Sequence, residues 1–376
     1  MTMKIGIDAR FYGPRVGGGG IGRYVAELVT HLQELDQENE YIIFLKKENF
    51  HECKITNPNF YKKMVDVHWY GLKEQMVMPR EVRLSKVDFM HYPHWNIPLF
   101  SRVPFIVTVH DLILIEDKHS ARSSTRNKIL HGFKYAIFRT VLENAIHRSK
   151  HILTVSSYSK EAILKHFGIR QDKITVTPNG IIPALNNKNI SLTKMGVYEP
   201  YFLYVGNAYP HKNLETMLEA FADFSEKIPY VQLVIAGRRD MFSKKLEKYA
   251  RELGVNQERL RFIDLPSDDE ISALYRSSNL FIYPSKLEGF GMPPLEAMSY
   301  GTPVAAAFAS SLPEVLGSSA HYFNPEEADQ LEKIMIEAIK NPELIRSKVE
   351  AGKEQVKKFT WKNLAEKTLA EYKKMR

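Results

Sequence analysis

The sequence predicts an α/β fold in which two doubly wound domains face each other across a cleft. Short apolar runs alternate with helical patterns from one end of the 376-residue chain to the other, which is typical of βαβ units and parallel sheets. A chain of this length usually forms two domains of about 150–200 residues. The alternation also pauses once, in a polar stretch with two prolines at 182–200.

Short runs of apolar residues predict the strands. In the first half they lie at 4–8, 41–45, 87–91, 105–110, 152–155 and 174–177. In the second half they lie at 201–205, 231–235, 260–263, 280–283 and 303–307. Between these runs, apolar residues recur every three or four positions, as they do from Ile21 to Leu32, which indicates amphipathic helices. Strands and helices therefore alternate in both halves of the chain.

The pause at 182–200 is interpreted as the linker between domains. It separates an N-terminal Rossmann-like domain at 1–185 from a C-terminal Rossmann-like domain at 195–358. The last segment, 359–376, has a helical pattern, and we expect it to pack back on the N-terminal domain. Clefts between domains are common ligand sites, so the cleft is where a site is expected.

Composition excludes several classes of protein. A hydrophobic content of 44% and a charged content of 26% describe an ordinary globular chain. No apolar run reaches the length of a membrane-spanning helix, and the N-terminus has no signal-peptide core. The single cysteine, Cys53, excludes an intramolecular disulfide and fits a reducing compartment. We therefore expect a cytoplasmic protein.

The net charge of +8 is carried by the first half of the chain, and much of it lies at 118–150. Within that stretch basic residues alternate with aromatic and aliphatic ones, and Glu143 is its only acidic residue. Such a helix can rest on anionic lipid, or attract an acidic ligand or nucleic acid. It can also be a solvated helix whose apolar side belongs to the core, and the sequence leaves these alternatives open.

Two glutamates eight positions apart, Glu288 and Glu296, form the most informative motif. A buried-type strand at 279–283 precedes them and a helical pattern covers 295–300, so Glu288 should follow a strand's carboxyl end and Glu296 should lie in the helix's first turn. Ligands of open α/β sheets bind at that edge. The loop between the glutamates contains Gly289, Phe290 and Gly291.

Carboxylates at that edge suit a ligand rich in hydroxyls, and glycines let backbone amides approach phosphate oxygens. The structural alternative is a tight turn with a carboxylate near a helix N-terminus.

Cations follow two earlier strands of the same half. Lys212 lies just before a predicted helix, where it could meet a diphosphate together with the helix N-terminal amides. Arg238 and Arg239 follow the next strand. Each of these could simply be a solvated surface residue, but with the glycine loop between the glutamates they make three phosphate-suited elements at strand ends of one domain, which favours a phosphate site.

Histidine and aromatic residues follow strands of the first half. His110 and Asp111 come at the carboxyl end of the run at 105–110, where a catalytic and a structural histidine are equally compatible with the pattern. The stretches 91–94 and 95–98 add His, Tyr and Trp side chains at another strand end. These could stack on a sugar ring or pack as an ordinary loop.

The glycine run at 17–22 satisfies the dinucleotide pattern G-x-G-x-x-G, which is weak evidence alone. The first strand ends near Asp8, so an added loop precedes the glycines and the tight dinucleotide-binding turn does not fit. We interpret the run, with Gly19 and Gly20, as a mobile loop that closes over phosphate. The sequence shows no metal-ligand spacing, no G-x-S-x-G and no Walker A motif.

Taken together, these motifs resemble glycosyltransferase family 4, whose members have the two-domain GT-B fold. The resemblance covers nearly the whole chain. Its motifs are Gly-Gly-Gly-Ile-Gly-Arg-Tyr at 18–24, Val-Ser-Ser-Tyr-Ser-Lys at 155–160, Pro-Asn-Gly at 178–180, Pro-His-Lys-Asn at 210–213, the E-x7-E pair and Leu-Pro-Glu-Val at 312–315. The set in this order is specific to the family.

The resemblance implies retaining, metal-independent transfer of a sugar from a nucleotide diphosphate, with the acceptor held by the N-terminal domain. In such an enzyme Glu288 would hold the donor sugar, Glu296 the ribose and Lys212 the departing diphosphate, and His110 would bind the donor sugar near its reacting carbon. One departure is Asn207, which stands where many members carry an arginine for the phosphates. Arg238 is the candidate to replace it.

The opening Ile-Asp-Ala-Arg at 7–10 and Ser-Ser-Leu-Pro-Glu at 310–314 look most like bacterial mannosyltransferases of cell-envelope polysaccharide assembly. The resemblance thus implies GDP-mannose as donor, ahead of a UDP-hexose, and no cofactor. It implies a saccharide or polyprenyl-diphosphate-linked acceptor and no nucleic acid, with the basic 118–150 region on anionic lipid at the inner face of the membrane. A sugar-nucleotide 2-epimerase of the same fold and a non-catalytic sugar-nucleotide-binding protein are the alternatives.

Overall fold

The structure is a computed structural model that describes residues 2–13, 16, 19–117, 128–182, 184 and 190–376. Two parallel β-sheets organise it, one in each of two compact units. The strands are β1 Lys4–Asp8, β2 Glu40–Leu45, β3 Phe60–Met64, β4 Phe89–Tyr92, β5 Phe105–Val109, β6 His151–Thr154, β7 Ile174–Val176, β8 Tyr201–Val205, β9 Gln232–Gly237, β10 Leu260–Asp264, β11 Leu280–Tyr283, β12 Val304–Ala307 and β13 His321–Phe323.

Helices connect most pairs of successive strands. They are α1 Gly19–Leu35, α2 Leu72–Leu84, α3 Ile113–Glu116, α4 Lys128–Arg148, α5 Ser157–Phe167, α6 Leu214–Lys227, α7 Met241–Glu252, α8 Asp268–Ser277, α9 Met292–Ser299, α10 Leu312–Leu316, α11 Ala328–Lys340, α12 Pro342–Arg346, α13 Val349–Val356 and α14 Trp361–Lys373. Short 3₁₀ turns lie at Gln171–Lys173, Leu192–Met195, Pro210–Lys212 and Gly317–Ser319.

Unit 1 contains the described residues of 2–112, 128–180 and 360–376. Its strands are parallel and follow the order β3-β2-β1-β4-β5-β6-β7. The order reverses at β1, which pairs with β2 on one side and β4 on the other. In a doubly wound sheet the crevice at this switch point, outside the carboxyl ends of the strands, is where ligands bind.

Unit 2 contains the described residues of 113–117 and 181–359. Its parallel strands follow the order β10-β9-β8-β11-β12-β13, so its switch point lies between β8 and β11. The strands β8, β11 and β12 are almost wholly buried, as continuous apolar runs in parallel sheets usually are. Both sheets therefore have the α/β, doubly wound topology that the alternating pattern predicts.

The C-terminal helix α14 completes the core of unit 1. Tyr372, fully buried on this helix, has its hydroxyl 2.6 Å from Nδ1 of His91 on β4. The other ring nitrogen of His91 lies 2.8 Å from Thr108 Oγ1 on β5, which in turn lies 3.1 Å from the Tyr24 hydroxyl on α1. Burial, and then the nearby ring of His110, lower the pKa of His91 to about 3, so the imidazole is neutral at physiological pH.

Several details differ from the sequence prediction. The strands β3 and β13, which the apolar runs do not predict, lie at the edges of their sheets, where polar residues are tolerated. Helix α9 begins at Met292 rather than near Leu295, because prolines are accepted in a first helical turn. Glu296 therefore lies in the second turn, not the first.

The glycine run also differs from its prediction as a loop. Helix α1 already begins at Gly19, so Gly19 and Gly20 are part of its first turn. Gly22 is required there, since a Cβ on it would come within 2.1 Å of the Gly13 carbonyl oxygen. Gly17 and Gly18 lie outside the described residues, as do residues 118–127 of the basic stretch and 183 and 185–189 of the predicted linker.

Candidate functional site

The centre of the candidate site in unit 2 is an ion pair between Lys212 and Glu288. The Lys212 Nζ atom lies 2.5 Å from Glu288 Oε1, and the side chains are only 13% and 9% exposed. Lys212 comes from the 3₁₀ turn after β8, and Glu288 comes from the loop after β11. Because β8 and β11 flank the switch point, both charged groups stand where a ligand of this sheet would bind.

Tyr283 and Ser310 hold Glu288 in place. The Tyr283 hydroxyl donates to Glu288 Oε1 over 2.8 Å and accepts from Lys212 Nζ over 3.2 Å. The backbone N–H of Glu288 donates to Ser310 Oγ over 3.0 Å. Burial raises the pKa of Glu288, but the charge and hydrogen bond of Lys212, followed by Ser285 and His211, bring it below its ordinary value. Glu288 is therefore an ionised carboxylate with a fixed orientation.

The backbone around the pair needs residues that adopt a left-handed conformation. Gly291, with φ of +83°, caps α9, and a Cβ there would lie 2.6 Å from Leu312 Cδ2. Asn213, with φ of +56°, ends the turn that carries Lys212 and donates to the carbonyl oxygens of Pro284 and Pro325. This second link ties the Lys212 turn directly to the Glu288 loop.

Glu296 is half-buried on α9 and accepts a hydrogen bond of 3.2 Å from the Tyr275 hydroxyl. Between the two glutamates, Gly289 is buried and the ring of Phe290 packs edge-on against Phe359 at 5.4 Å. The E-x7-E motif thus spans one loop and the start of one helix, with its first carboxylate fixed by an ion pair and its second by a tyrosine.

Asn207 and Arg238 follow β8 and β9. The Asn207 carbonyl accepts from the Tyr204 hydroxyl over 2.7 Å, and its side-chain oxygen accepts from the Tyr209 N–H over 3.4 Å. Arg238 is exposed, and its guanidinium forms no hydrogen bond or ion pair with any residue that the structure describes, whereas the guanidinium of Arg239 pairs with Glu247. Of these two arginines, Arg238 is therefore the one whose guanidinium has no partner among the described residues.

In unit 1, His110 immediately follows β5 and is half-buried. Its Nε2 lies 2.9 Å from the Pro93 carbonyl oxygen, which can only accept, so Nε2 carries the proton and Nδ1 is left as an acceptor. Burial lowers the pKa of His110 to about 4, with the Pro93 contact opposing it. The neutral ring also packs edge-on against Tyr24 at 4.7 Å.

Sequence reasoning missed Tyr283 and Ser310 as members of the site. Tyr283 looks like the last apolar residue of a strand, although a tyrosine at a carboxyl strand end also brings a hydroxyl to the ligand edge. Ser310 gave no signal as a contact of Glu288, because the two are 22 positions apart and meet only through the fold.

The described residues contain neither a metal-binding cluster nor a membrane-spanning helix. Among them no group of three or more His, Cys, Asp or Glu side chains has an arrangement that could hold a metal ion. None of the helices within the described ranges combines the length and apolar character that crossing a bilayer requires.

Both halves of the chain match family models of glycosyltransferases. Residues 18–185 match the model described as Glycosyltransferase Family 4, and residues 193–355 match the one described as Glycosyl transferases group 1. The two matched ranges contain every residue of the E-x7-E motif, Lys212 and His110.

Relatives and solved structures agree with these matches. The chain is 27% identical over 357 residues to the O-antigen chain mannosyltransferase RfbU of Salmonella typhimurium, covering 92% of this chain and 94% of the relative. It is 26% identical over 386 residues to the O-antigen chain mannosyltransferase B of Escherichia coli, with 94% and 96% covered.

Among solved structures, sucrose-phosphate synthase from Thermosynechococcus elongatus aligns with a TM-score of 0.76 at 19% identity over 99% of both chains. Anabaena HepE in complex with UDP and glucose aligns at 0.74 and 18% over the full length of both. The chain therefore belongs to glycosyltransferase family 4 and is a glycosyltransferase of the GT-B fold.

Proposed function

We propose that the protein is a retaining, metal-independent mannosyltransferase that uses GDP-mannose to extend a saccharide or lipid-linked acceptor in cell-envelope polysaccharide synthesis. One observation carries the proposal: a largely buried cation, Lys212, and an ionised carboxylate, Glu288, stand together at the switch point of unit 2. A nucleotide sugar needs both, since its diphosphate is anionic and its sugar presents hydroxyl donors.

The choice of mannose rests on the relatives. Two bacterial proteins that align over more than nine-tenths of their length are named O-antigen chain mannosyltransferases. A UDP-hexose is the second candidate, since the HepE structure of the same fold contains UDP and glucose. The relatives are closer in sequence than HepE, which favours mannose.

Lys212 would neutralise the charge that develops on the departing diphosphate. An ammonium group has three N–H donors, and two of them are directed to Glu288 and Tyr283. The third is available for a phosphate oxygen. A fixed cation at the leaving group supplies the charge stabilisation that a divalent ion supplies in other enzymes, which is why we propose a reaction without metal.

The two glutamates would bind different parts of the donor. Glu288, ionised and fixed on three sides, would accept hydrogen bonds from sugar hydroxyls. Glu296, eight positions further on, would accept from the ribose hydroxyls. Neither is proposed as a nucleophile: the leaving phosphate would itself take the acceptor's proton, which places the new bond on the face that the nucleotide leaves and retains the anomeric configuration.

His110 would accept a hydrogen bond from a hydroxyl of the donor sugar. Its Nε2–H is already committed to the Pro93 carbonyl oxygen, so the free acceptor is Nδ1. The lowered pKa keeps this nitrogen unprotonated at physiological pH. We propose Gly19, Gly20, Gly289, Phe290 and Gly291 as further donor contacts and Arg238 as the second phosphate cation in place of Asn207.

We further propose that unit 1 contacts an anionic membrane through basic and apolar side chains. On the described part of the basic stretch, Lys134 and Arg139 are exposed and Ile137 is half-exposed, whereas Val141 and Leu142 are buried and belong to the core. Elsewhere on unit 1, large apolar side chains are exposed by 71–88%: Leu72, Met76 and Phe100. Sedimentation with vesicles containing anionic lipid, but not with neutral vesicles, is the expected result.

Incubation with GDP-[¹³C]mannose and a mannose-terminated acceptor, followed by NMR of the anomeric carbon, tests the proposed reaction. We expect an α-linked product from the α-linked donor, formed equally in excess EDTA, and loss of product in Glu288→Ala. A β-linked product would contradict retention, and loss of activity in EDTA would contradict the metal-free reaction.

A parallel thermal-shift series with GDP-mannose and UDP-hexoses tests the donor. A ligand at 100 times its dissociation constant adds about 2.7 kcal/mol to the free energy of unfolding, so the correct donor gives a clear shift. A shift with UDP-sugars alone would overturn GDP-mannose. Conversion of UDP-N-acetylglucosamine to its 2-epimer without acceptor would support the epimerase instead.

A further inference from the structure

A cluster of aromatic side chains lies at the switch point of unit 1. We call Trp69, Tyr70 and Trp95, which rest on the buried rings of Phe11 and His94, the aromatic platform. Phe11 stacks on Trp69 with ring centroids 4.2 Å apart, and His94 lies 4.6 Å from Trp95. Phe11 follows the end of β1 and His94 follows the end of β4, the two strands between which the order of the sheet reverses.

Tyr70 is the outermost ring of the platform. The residue is 55% exposed, and its ring lies 5.4 Å from the ring of Trp95 at an angle of 35°. Trp95 and Trp69, the residue before Tyr70, are half-buried. Tyr70 is therefore open to solvent in part, with the indole of Trp95 beside its ring. Flat apolar surfaces of this kind suit the axial C–H face of a pyranose ring, while the flanking indole N–H groups suit its hydroxyls.

The backbone of Tyr70 is held in a conformation that a bulky residue rarely adopts, with φ of +65°. Its N–H donates to Glu74 Oε2 over 2.9 Å. Glu74 is fully buried and also accepts from Arg10 over 2.5 Å and from the side chain of Asn96 over 2.8 Å. Arg10 has no exposed surface and forms a two-point contact with Asp8 at 2.8 and 2.6 Å.

Stability does not account for this arrangement. A left-handed backbone costs free energy at a non-glycine residue, a buried charge network contributes little net stability, and a half-exposed ring buries little apolar area. Strain that surrounding structure over-determines is concentrated at ligand sites. The same network fixes both sides of the platform, because Asn96 adjoins Trp95 and Glu74 anchors Tyr70.

We propose that the aromatic platform is the saccharide subsite of unit 1, with the acceptor's sugar ring stacked on Tyr70 next to the indole of Trp95. The term acceptor rests on the transferase function proposed above, whereas sugar binding rests on the platform alone. The platform lies next in sequence to a residue that contacts His110. His94 supports the platform, and the carbonyl of the preceding residue, Pro93, accepts the hydrogen bond from His110.

Intrinsic fluorescence can test the proposal in the full-length chain, because two of its three tryptophans belong to the platform. Titration with methyl α-mannoside and with α-linked mannobiose and mannotriose should change the tryptophan signal saturably. Tyr70→Phe should bind as the wild type does. Tyr70→Gly, which removes the ring while relaxing the backbone, should weaken binding roughly 3- to 10-fold, the usual worth of one aromatic contact.

Tyr70→Gly also separates binding from folding, since its melting temperature should equal or exceed that of the wild type. A matched control is Tyr61→Ala, which removes the ring of another half-exposed tyrosine of unit 1. This variant should leave the titration unchanged. The proposal is overturned if none of the three saccharides gives a saturable signal up to the limit of its solubility. It is also overturned if Tyr70→Gly binds the saccharides as tightly as the wild type does. A response to decyl phosphate matching that to the saccharides would assign the surface to lipid and overturn it too.

The outcome is independent of the donor assignment. Nucleotide-sugar binding, read by thermal shift, should be the same in Tyr70→Gly and the wild type. If no nucleotide sugar binds while the saccharide titration succeeds, the proposed function fails and the platform stands. If transfer proceeds with an acceptor KM that Tyr70→Gly leaves unchanged, the platform fails and the proposed function stands.

Discussion

Lys212 Nζ lies 2.5 Å from Glu288 Oε1, and the two side chains belong to loops that follow neighbouring strands of one sheet. Each is largely buried, so each depends on the other for charge compensation. We expect Lys212→Met to lower the free energy of unfolding by about 3–5 kcal/mol, because it leaves a buried carboxylate without a partner. Urea denaturation measures the change.

The double variant Lys212→Met/Glu288→Gln should cost less than Lys212→Met alone, since no unpaired charge remains. The matched control is Lys286→Met on the same loop, whose exposed pair with Glu326 spans 2.8 Å. That variant should change stability by about 1 kcal/mol or less. Equal losses in Lys212→Met and Lys286→Met would contradict the buried-pair interpretation.

The same pair gives a pH dependence with a definite sign. The pKa of Glu288 is below its ordinary value of 4.5 in the folded protein, so the unfolded chain binds more protons in that range. The stability that Glu288 contributes is therefore present above pH 4.5 and is lost as pH falls through the folded pKa. The difference in unfolding free energy between wild type and Glu288→Gln, measured from pH 7 to 3, should shrink accordingly.

In Lys212→Met this dependence should reverse. Burial has the largest effect on the pKa of Glu288 and raises it, whereas Lys212 lowers it. Without Lys212, burial would therefore raise the folded pKa above the ordinary value. The contribution of Glu288 would become unfavourable as pH rises. An unchanged slope in Lys212→Met would show that Lys212 does not control the ionisation of Glu288.

Ser310 offers a test of how Glu288 is positioned. Its φ is +51°, and its Oγ accepts the backbone N–H of Glu288 over 3.0 Å. Ser310→Ala removes the hydrogen bond and keeps the strain, whereas Ser310→Gly removes both. We expect Ser310→Gly to be more stable than Ser310→Ala by about 1 kcal/mol, while both raise the KM for the donor to a similar extent. A donor KM unchanged in both variants would contradict the positioning role.

Tyr372 tests the attachment of the C-terminal helix. Tyr372→Phe leaves Nδ1 of the buried His91 without its 2.6 Å partner, so a loss of about 1–3 kcal/mol in unfolding free energy is expected. Tyr61→Phe, at a half-exposed site of the same unit, is the control and should be neutral. Comparable melting temperatures for the two variants would count against the contact.

Glu296 can be tested through the ribose. If it accepts from the ribose hydroxyls, the wild type should bind GDP more tightly than 2′-deoxy-GDP. Glu296→Gln should reduce that preference by roughly 10-fold or more, the worth of a hydrogen bond to a charged group. Glu354→Gln, at an exposed site on α13, should preserve it. Isothermal titration gives both affinities, and an unchanged preference in Glu296→Gln would remove Glu296 from the ribose site.

The sequence predicts the parts of the fold that depend on local pattern. The strands β8 and β11 begin and end where their apolar runs do, because parallel strands buried on both faces require continuous apolar residues. The edge strand β3, Phe60–Met64, escapes that rule, since only its first residue is buried and two lysines lie within it.

The site is predictable only in part, for a different reason. Glycines, a lysine and two glutamates at strand ends identify a ligand edge, but contacts across the sheet have no local signature. Arg10 looks like a polar residue in a turn, yet it is buried against Glu74, 64 positions away. Likewise the strain at Tyr70 depends on backbone geometry that its neighbours in sequence do not reveal.

Helix α14 has a consequence for biosynthesis. Most of unit 2, residues 181–359, lies between β7 and α14 in the chain, so ribosomal synthesis can complete unit 2 at Phe359 while unit 1 still lacks the helix that covers His91. Unit 1, whose synthesis begins first, is therefore the last to complete its fold. Removal of the segment after Trp361 would deprive β4 and β7 of Tyr372 and of Glu371, which accepts from Thr175 over 2.8 Å. A short C-terminal truncation thus damages the N-terminal half of the protein.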